Sequence, residues 1–242
     1  PGLESWAASP VRSEINGNIA HEMTLAEIHE VIDAHAEGAK RTAAGGMDGV
    51  EILGAFGFLP QAFLSPLTNH RTDKYGGALK NRLRFLMELL EAVRGALGRD
   101  HVLGVRLPGD EFEPGALDLE QMKIICKQIA DTGLIDYLNI IAHTNITHLG
   151  RSRHWAPTPT RHGIFVHLAG AIREVVNLPV FTVGRIVDPA HAEHIIAHGQ
   201  ADMVGMTRAH ICDPQILPKI RGHLEASIRI CVGANVCIAN RY

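Results

Sequence analysis

The sequence lacks several features that mark specialised classes of protein. Its four cysteines are too few for a disulfide scaffold in a chain of 242 residues. No apolar run approaches the roughly twenty residues that span a bilayer, and no signal-peptide pattern opens the chain. The formal net charge is only −3, so no excess of basic residues points to nucleic acid or an anionic membrane surface. These absences predict a cytoplasmic globular protein that binds neither nucleic acid nor membranes.

The two ends of the chain also lack features of a complete protein. There is no initiator methionine, and residues 1–23 show no pattern typical of a strand. The chain stops at Tyr242, shortly after two closely spaced cysteines. We therefore expect an internal piece of a longer polypeptide.

From residue 24 onward, helix and strand patterns alternate. Thr24 and Glu27 in "TLAE" form a capping-box pattern at the start of the first helix. Apolar segments that predict strands recur five times, each followed by an amphipathic segment. Continuously apolar strands are typical of a parallel sheet covered on both faces. The predicted strands are residues 49–53, 102–107, 136–141, 178–184 and 202–206.

Two α/β folds fit this alternation: an open doubly wound sheet and a (β/α)8 barrel. No Gly-x-Gly-x-x-Gly follows any predicted strand, which disfavours a dinucleotide-binding sheet. The long connections all follow strands, where a barrel places its active site. We predict an incomplete TIM barrel that covers about the last five βα units, with about three units missing upstream.

Glycine and arginine follow the last two predicted strands. Gly184 and Arg185 lie in "VGRI", and Gly205 and Arg208 lie in "GMTRAHICDP". Barrels commonly bind phosphate in the loops after their seventh and eighth strands. Two tight turns with solvated arginines explain the pattern equally well, so both interpretations stay open at this point.

Arg106 lies at the carboxyl end of an apolar strand in "GVRLPGDE". A charge in that place is costly unless a partner is present. Either the arginine is held for a ligand, or it forms a buried ion pair with Glu51 or Asp110.

Several motifs together carry a resemblance to a known family. They are "DGVEI", "FLSPLTNHRTDKYGG", "VGRIVDP", "ADMVGMTRA" and "CVGANVCI". With them, residues 9–242 resemble the flavin-dependent barrel oxidoreductases of the old yellow enzyme class. The most similar branch is the multidomain one that includes trimethylamine dehydrogenase and 2,4-dienoyl-CoA reductase. The resemblance implies that residues 1–228 are the C-terminal part of an FMN-binding barrel. It also explains the long segment 53–75 as the loop after the fourth barrel strand, in which "RTDKYGG" braces the next helix.

The same resemblance implies roles for individual residues. Arg106 matches the arginine beside the isoalloxazine ring, and Gly184, Arg185 and Arg208 match a phosphate-binding pattern. Residues 229–242 match the start of a segment that binds a [4Fe–4S] cluster, with Cys231 and Cys237 as its first and third ligands. Ala234 replaces the second ligand, so the cluster is labile, ligated otherwise or absent.

A second departure from the family concerns the substrate pocket. Leu53, Phe56 and Phe58 stand where the family usually carries a tyrosine or histidine. Phenylalanine cannot donate the proton that alkene reduction requires. An apolar aromatic pocket suits a methylated cationic amine. Trp155 either walls this pocket or has a packing role. A replacement acid or base is expected among His143, His148 and His154.

The preferred interpretation is an FMN oxidoreductase that N-demethylates a small methylated amine or betaine. The alternative is an NAD(P)H-dependent enoate or 2,4-dienoyl-CoA reductase. A metal-dependent hydrolase would need His-x-His spacing at strand ends, which the sequence does not show. A non-catalytic remnant would bind no flavin. We also expect an electron-transfer partner and a homo-oligomer.

Overall fold

The N-terminal segment contains two short paired strands. The computed structural model describes residues 5–15 and 17–239. Strands β1 (Trp6–Ala7) and β2 (His21–Glu22) pair in parallel. The expectation of no strand before residue 24 is therefore wrong for the described residues. Two-residue strands are too short to leave a periodic sequence signal.

The centre of the fold is a parallel sheet whose five strands lie side by side in chain order. A doubly wound sheet reverses its strand order at a switch point, whereas a barrel adds each strand beside the preceding one. The observed order is that of a barrel. The strands are β3 (Gly49–Leu53), β4 (Val102–Pro108), β5 (Tyr137–Ile141), β6 (Val180–Val183) and β7 (Met203–Gly205).

Helices follow the strands as the sequence patterns predict. The first begins after Thr24, whose backbone N–H donates to Glu27 Oε2 at 2.7 Å while Thr24 Oγ1 accepts from Glu27 N–H at 3.3 Å. The helices are α1 (Leu25–Ala44), α2 (Leu59–Leu64), α3 (Leu79–Leu97), α4 (Leu119–Asp131), α5 (His148–His154), α6 (Val166–Arg173), α7 (Pro189–Ala197), α8 (Thr207–Cys212), α9 (Ile216–Arg221) and α10 (Val236–Ala239).

The connection after β5 differs from its prediction. The sequence pattern indicates a polar loop to residue 163 and a helix to residue 176. The structure instead places α5 within that connection, and α6 ends at Arg173. Thr147 caps α5 by accepting from the Gly150 N–H at 2.9 Å. A seven-residue helix with few apolar residues shows no clear amphipathic period.

Alternate positions of the strands serve two different surfaces. Leu103, Val105 and Leu107 of β4 are fully buried in the main core, which also takes the apolar faces of α3 and α4. Successive strand residues point to opposite faces of a sheet. The intervening position 106 therefore faces the other side, towards the carboxyl-end cavity described below.

The "RTDKYGG" segment fixes the long loop after β3 to its neighbours. Arg71 is 7% exposed and donates to the carbonyl oxygens of Ala8 and Met23 at 3.2 and 2.6 Å. Tyr75 donates its hydroxyl to Glu88 Oε2 on α3 at 2.7 Å. These contacts connect the loop to both the N-terminal segment and the next helix.

Across residues 5–15 and 17–239, no helix combines the length and apolar character that crossing a membrane requires.

Candidate active site

A cavity of about 440 Å³ opens at the carboxyl ends of β4 to β7. On β5 and β6 the lining residues are at alternate positions, because successive strand residues point to opposite faces of a sheet. Among the described residues that line it are three arginines and no aspartate or glutamate. The lining includes Phe56, Arg106, Asn139, Ile141, His154, Trp155, Phe181, Val183, Gly184, Arg185, Gly205, Arg208 and Cys237.

Arg106 belongs to a network of polar side chains from three strands. Its Nε lies 2.9 Å from Glu51 Oε1, but the N–H is not aligned for a hydrogen bond. Glu51 Oε2 accepts from Tyr137 Oη at 3.1 Å and from Asn139 Nδ2 at 2.8 Å. Of the two ion-pair partners considered for Arg106, Glu51 is the observed one.

The ring of Tyr137 lies flat beneath this network because of a glycine. Tyr137 stacks on Phe181 with a centroid distance of 4.4 Å and an interplanar angle of 15°. A Cβ atom on Gly104 would come within 2.0 Å of Tyr137 Cζ. Burial, then the negative charge of Glu51 and the hydrogen bond to it, raises the pKa of Tyr137 to about 12. Tyr137 therefore acts as a neutral hydrogen-bond donor.

His154 is the predicted acid/base candidate that lines the main cavity. It is 3% exposed, and its ring meets the Phe56 ring edge-on at a centroid distance of 3.9 Å. Nδ1 lies 2.9 Å from the carbonyl oxygen of Ala142. Because a carbonyl only accepts, Nδ1 carries the proton and Nε2 has a free lone pair. Nε2 is buried without a protein partner.

Burial is the main reason why His154 stays neutral. Burial, together with the nearby charges of His143, Arg106 and Arg208, lowers the pKa of the ring from 6.5 to about 4. Only the hydrogen bond to Ala142 acts in the opposite direction. The neutral imidazole offers an acceptor rather than a donor at its cavity end.

This pKa predicts an acid-sensitive fold. Between about pH 6.5 and 4 the unfolded chain binds a proton at His154 that the folded chain does not, so stability falls as the pH falls. The expected loss is about 3 kcal/mol, at about 1.4 kcal/mol per pKa unit. Urea unfolding at pH 7 and pH 4 measures it. His154→Asn should reduce the pH dependence, whereas His29→Asn at an exposed site on α1 should not. An equal pH dependence of stability in the wild type and both variants would contradict the assignment of this effect to His154.

Four non-glycine residues with left-handed backbone follow four successive strands. Phe56, Phe112, His143 and Arg185 have φ values of 62°, 52°, 68° and 55°. Such angles cost energy for residues with a Cβ and cluster at functional sites. Their common position after β3, β4, β5 and β6 marks the carboxyl face as the functional one.

Arg185 and Arg208 bind loop carbonyl groups in this structure. Arg185 donates from its terminal nitrogens to the carbonyl oxygens of residues 157, 158, 160 and 232. Arg208 Nη1 donates to the carbonyl oxygens of Trp155 and Ala156 and to Asn235 Oδ1. These two side chains therefore hold the loops around the cavity in place. The prediction that they bind phosphate did not include this role.

Other predicted site residues lie apart from this cavity. His143 lines a separate pocket of about 370 Å³ with Phe112 and Phe165, and burial lowers its pKa. His148 is exposed at the start of α5. Phe58 is 55% exposed and lines an outer cavity of about 270 Å³, which Phe56 also lines. Leu53 packs against the main core.

The two predicted cluster ligands do not form a metal site in the described part of the chain. Cys237 lines the main cavity, whereas Cys231 is half-buried and packs on the small core under α8 and α9. No group of three or more histidine, cysteine, aspartate or glutamate side chains is placed to bind a metal among these residues. Two thiols do not fit the four-ligand set of a [4Fe–4S] cluster, so no chemical step is assigned to one.

FMN, by contrast, fits the residues present. The cavity size is typical of a small-ligand site. Arg106 is ion-paired with Glu51 through Nε, and its terminal nitrogens make no hydrogen bond to another described residue, so they can donate to an anionic or electron-rich ligand. Arg185 Nε and His154 Nε2 are also buried without partners.

Sequence reasoning missed Asn139 and Tyr137 as part of the site. Both lie at alternate positions of the apolar strand β5. Asn139 pairs with Arg106 of β4, and Tyr137 pairs with Gly104. A polar residue at the same level in neighbouring strands is the signal that could have identified them.

Comparisons with known proteins give the following similarities. The pattern of the NADH:flavin oxidoreductase / NADH oxidase family matches residues 5–227. The chain is 38% identical over 239 residues to an N,N-dimethylglycine/sarcosine dehydrogenase of Chromohalobacter salexigens, covering 97% of this chain and 34% of that protein. It is 44% identical over 216 residues to a probable N-methylproline demethylase of Rhizobium meliloti, covering 89% of this chain and 32% of that protein. The chain thus spans about a third of the length of these relatives.

A solved structure shows the same fold. The chain matches a 2-naphthoyl-CoA reductase in complex with 2-naphthoyl-CoA with a TM-score of 0.90 and 31% sequence identity. The match covers 97% of this chain and 35% of that one.

Proposed function

This chain belongs to the NADH:flavin oxidoreductase / NADH oxidase family, and we propose that the complete protein is an FMN-dependent oxidoreductase that N-demethylates a small methylated amine or betaine. The predicted family and the partial barrel fold are confirmed by the family match and the structural likeness. The activity itself rests on the site.

The observation that carries the proposal is that Phe56, Phe58 and His154, at positions where a proton donor was expected, have no proton free to donate into the cavity. Phe56 and Phe58 have no ionisable group, and the ring proton of His154 is already donated to Ala142. Reduction of an activated alkene needs a proton donor at the substrate carbon. Removal of a hydride from an N-methyl carbon needs none, and a neutral imidazole suits it.

In this proposal the residues around the cavity have separate roles. FMN, when bound, would supply a two-electron acceptor for a hydride from the N-methyl carbon. Arg106 would hold the negative charge that reduction brings, and the backbone around Gly184 and Gly205 would carry the phosphate. Phe56 and Trp155 offer aromatic faces to a cationic amine. His154 Nε2 would accept a hydrogen bond from the substrate once Phe56 moves aside.

Water completes the reaction. The bound cationic amine would first lose its N–H proton to water. Hydride loss from the N-methyl carbon of the neutral amine would leave an iminium ion, and addition of water to its carbon, with release of a proton, would give formaldehyde and the demethylated amine. NAD(P) or an electron-transfer partner would accept the two electrons. We place the protein in the cytoplasm as a homo-oligomer, with residues 1–228 as the barrel portion and 229–242 as the start of the cysteine-containing segment.

The alternative is reduction of an enoate or enoyl thioester by NAD(P)H. It is favoured by the structural likeness to a 2-naphthoyl-CoA reductase. In that case a proton donor other than Phe56, Phe58 and His154 would be needed.

A visible absorption spectrum of the complete polypeptide tests the proposal. We expect flavin bands that bleach without oxygen when dimethylglycine, sarcosine or N-methylproline is added. Glycine and proline are matched controls, because they lack the methyl group and should leave the bands unchanged. Bleaching with NAD(P)H alone, followed by turnover of an enone, would favour the reductase. A protein that stays colourless when FMN is supplied would contradict both.

A further inference from the structure

We propose that Glu51 is a positioning residue for Arg106 and that its charge sets the reduction potential of the bound cofactor. This inference rests on the proposed function only in requiring that FMN binds in the main cavity. It assigns a role to a residue that lies behind the cavity wall and is not among those that line it.

Glu51 holds Arg106 from the side away from its terminal nitrogens. Glu51 Oε1 lies 2.9 Å from Nε, the nitrogen nearest the backbone end of the guanidinium group. The paired strands fix this contact, because Glu51 of β3 pairs with Gly104 of β4 and is thus the diagonal neighbour of Arg106 on the same face of the sheet. The carboxylate therefore occupies the inner edge of the guanidinium and leaves the terminal nitrogens free for a ligand.

Glu51 is itself held in place by side chains of β5. Tyr137 and Asn139 both donate to Oε2, at 3.1 and 2.8 Å. Since Tyr137 is wedged between Gly104 and Phe181, its hydroxyl has little freedom to move. Side chains from β3, β4 and β5 thus form the ion pair of Glu51 with Arg106 and the hydrogen bonds that support it. A carboxylate held by three partners has a defined place relative to the cavity.

The negative charge of Glu51 opposes the positive charge of Arg106. A cation beside a ring system that gains negative charge favours the reduced form, and a carboxylate against that cation weakens its field. Side chains of Arg106 and Glu51 are 29% and 24% exposed, so water screens the pair only in part. Removal of the carboxylate's charge should therefore make the cofactor easier to reduce.

Glu51→Gln tests the role of the charge in the complete FMN-bound protein. Asn139 Oδ1 has no partner, so its amide can rotate to accept from the new Gln side chain and preserve the packing. We expect the ratio of affinities for reduced over oxidised FMN to rise about tenfold, which is about 30 mV in a two-electron couple. Glu88→Gln is the matched control, because Glu88 also accepts from a tyrosine but lies on α3 away from the cavity. A potential equal to that of the wild type would overturn the charge role.

Glu51→Asp tests the positioning role separately. The shorter side chain keeps the charge but cannot reach both Nε and its two donors. We expect the dissociation constant of oxidised FMN to rise about tenfold, with no rise for Glu88→Asp. An unchanged constant would overturn the positioning role. If the wild type binds no FMN, the proposed function fails; if it does and neither Glu51 variant differs from it, only this inference fails.

Discussion

Arg106→Ala is expected to slow reduction of bound FMN by the amine about 100-fold to 1,000-fold, the usual cost of removing one preorganised electrostatic group from an active site. Strand β4 should still form in this variant. Arg106 is half-buried beside a cavity, whereas the aliphatic residues next to it on β4 pack in the core. Anaerobic stopped-flow absorbance measures the rate, and circular dichroism measures the fold.

Two further variants isolate the reason for this loss. Arg106→Lys keeps the charge without the planar guanidinium and should recover part of the rate. Arg99→Ala removes an exposed arginine that donates to the Gly133 carbonyl at the far end of β4, and should leave the rate unchanged. Equal reduction rates in Arg106→Ala and the wild type would exclude the electrostatic role.

Gly76→Ala is expected to destabilise the fold by about 3 kcal/mol or more. A Cβ atom there would lie 2.0 Å from the carbonyl oxygen of Arg71 and 2.4 Å from its carbonyl carbon. The backbone of Arg71 cannot move away as the end of a flexible side chain can. Any shift would also disturb Arg71, which connects the long loop to Ala8 and Met23. The midpoint of urea unfolding measures the loss.

Gly95→Ala is the matched control for this substitution. Gly95 lies exposed within α3, and a Cβ atom there would meet nothing within 4 Å. Alanine forms helix better than glycine by about 1 kcal/mol. A small gain in stability is therefore expected. Comparable losses at residues 76 and 95 would contradict the steric explanation.

The sequence predicts the regular elements well because their patterns are local. The predicted strand 102–107 agrees with Val102–Pro108, and Thr24 caps the first helix as expected. Arg106 could be singled out because one charge in an apolar strand is unusual. These features need only neighbouring residues for their interpretation.

The candidate site was less predictable because its geometry depends on residues far apart in the chain. Phe56 and Phe58 are two positions apart, yet the left-handed backbone at Phe56 directs only Phe56 towards the main cavity. His143, His148 and His154 could not be distinguished without α5, which places His154 alone on that wall. Glu51 meets Arg106 only through the register of two strands.

The strand order has a consequence for how the chain folds. Each strand of the main sheet pairs with the strand before it in the sequence, so every new pairing closes a loop of only one βα unit. Loop-closure entropy grows with the length of the closed segment. The sheet can therefore grow by successive addition, and no pairing within it has to wait for a distant part of the chain.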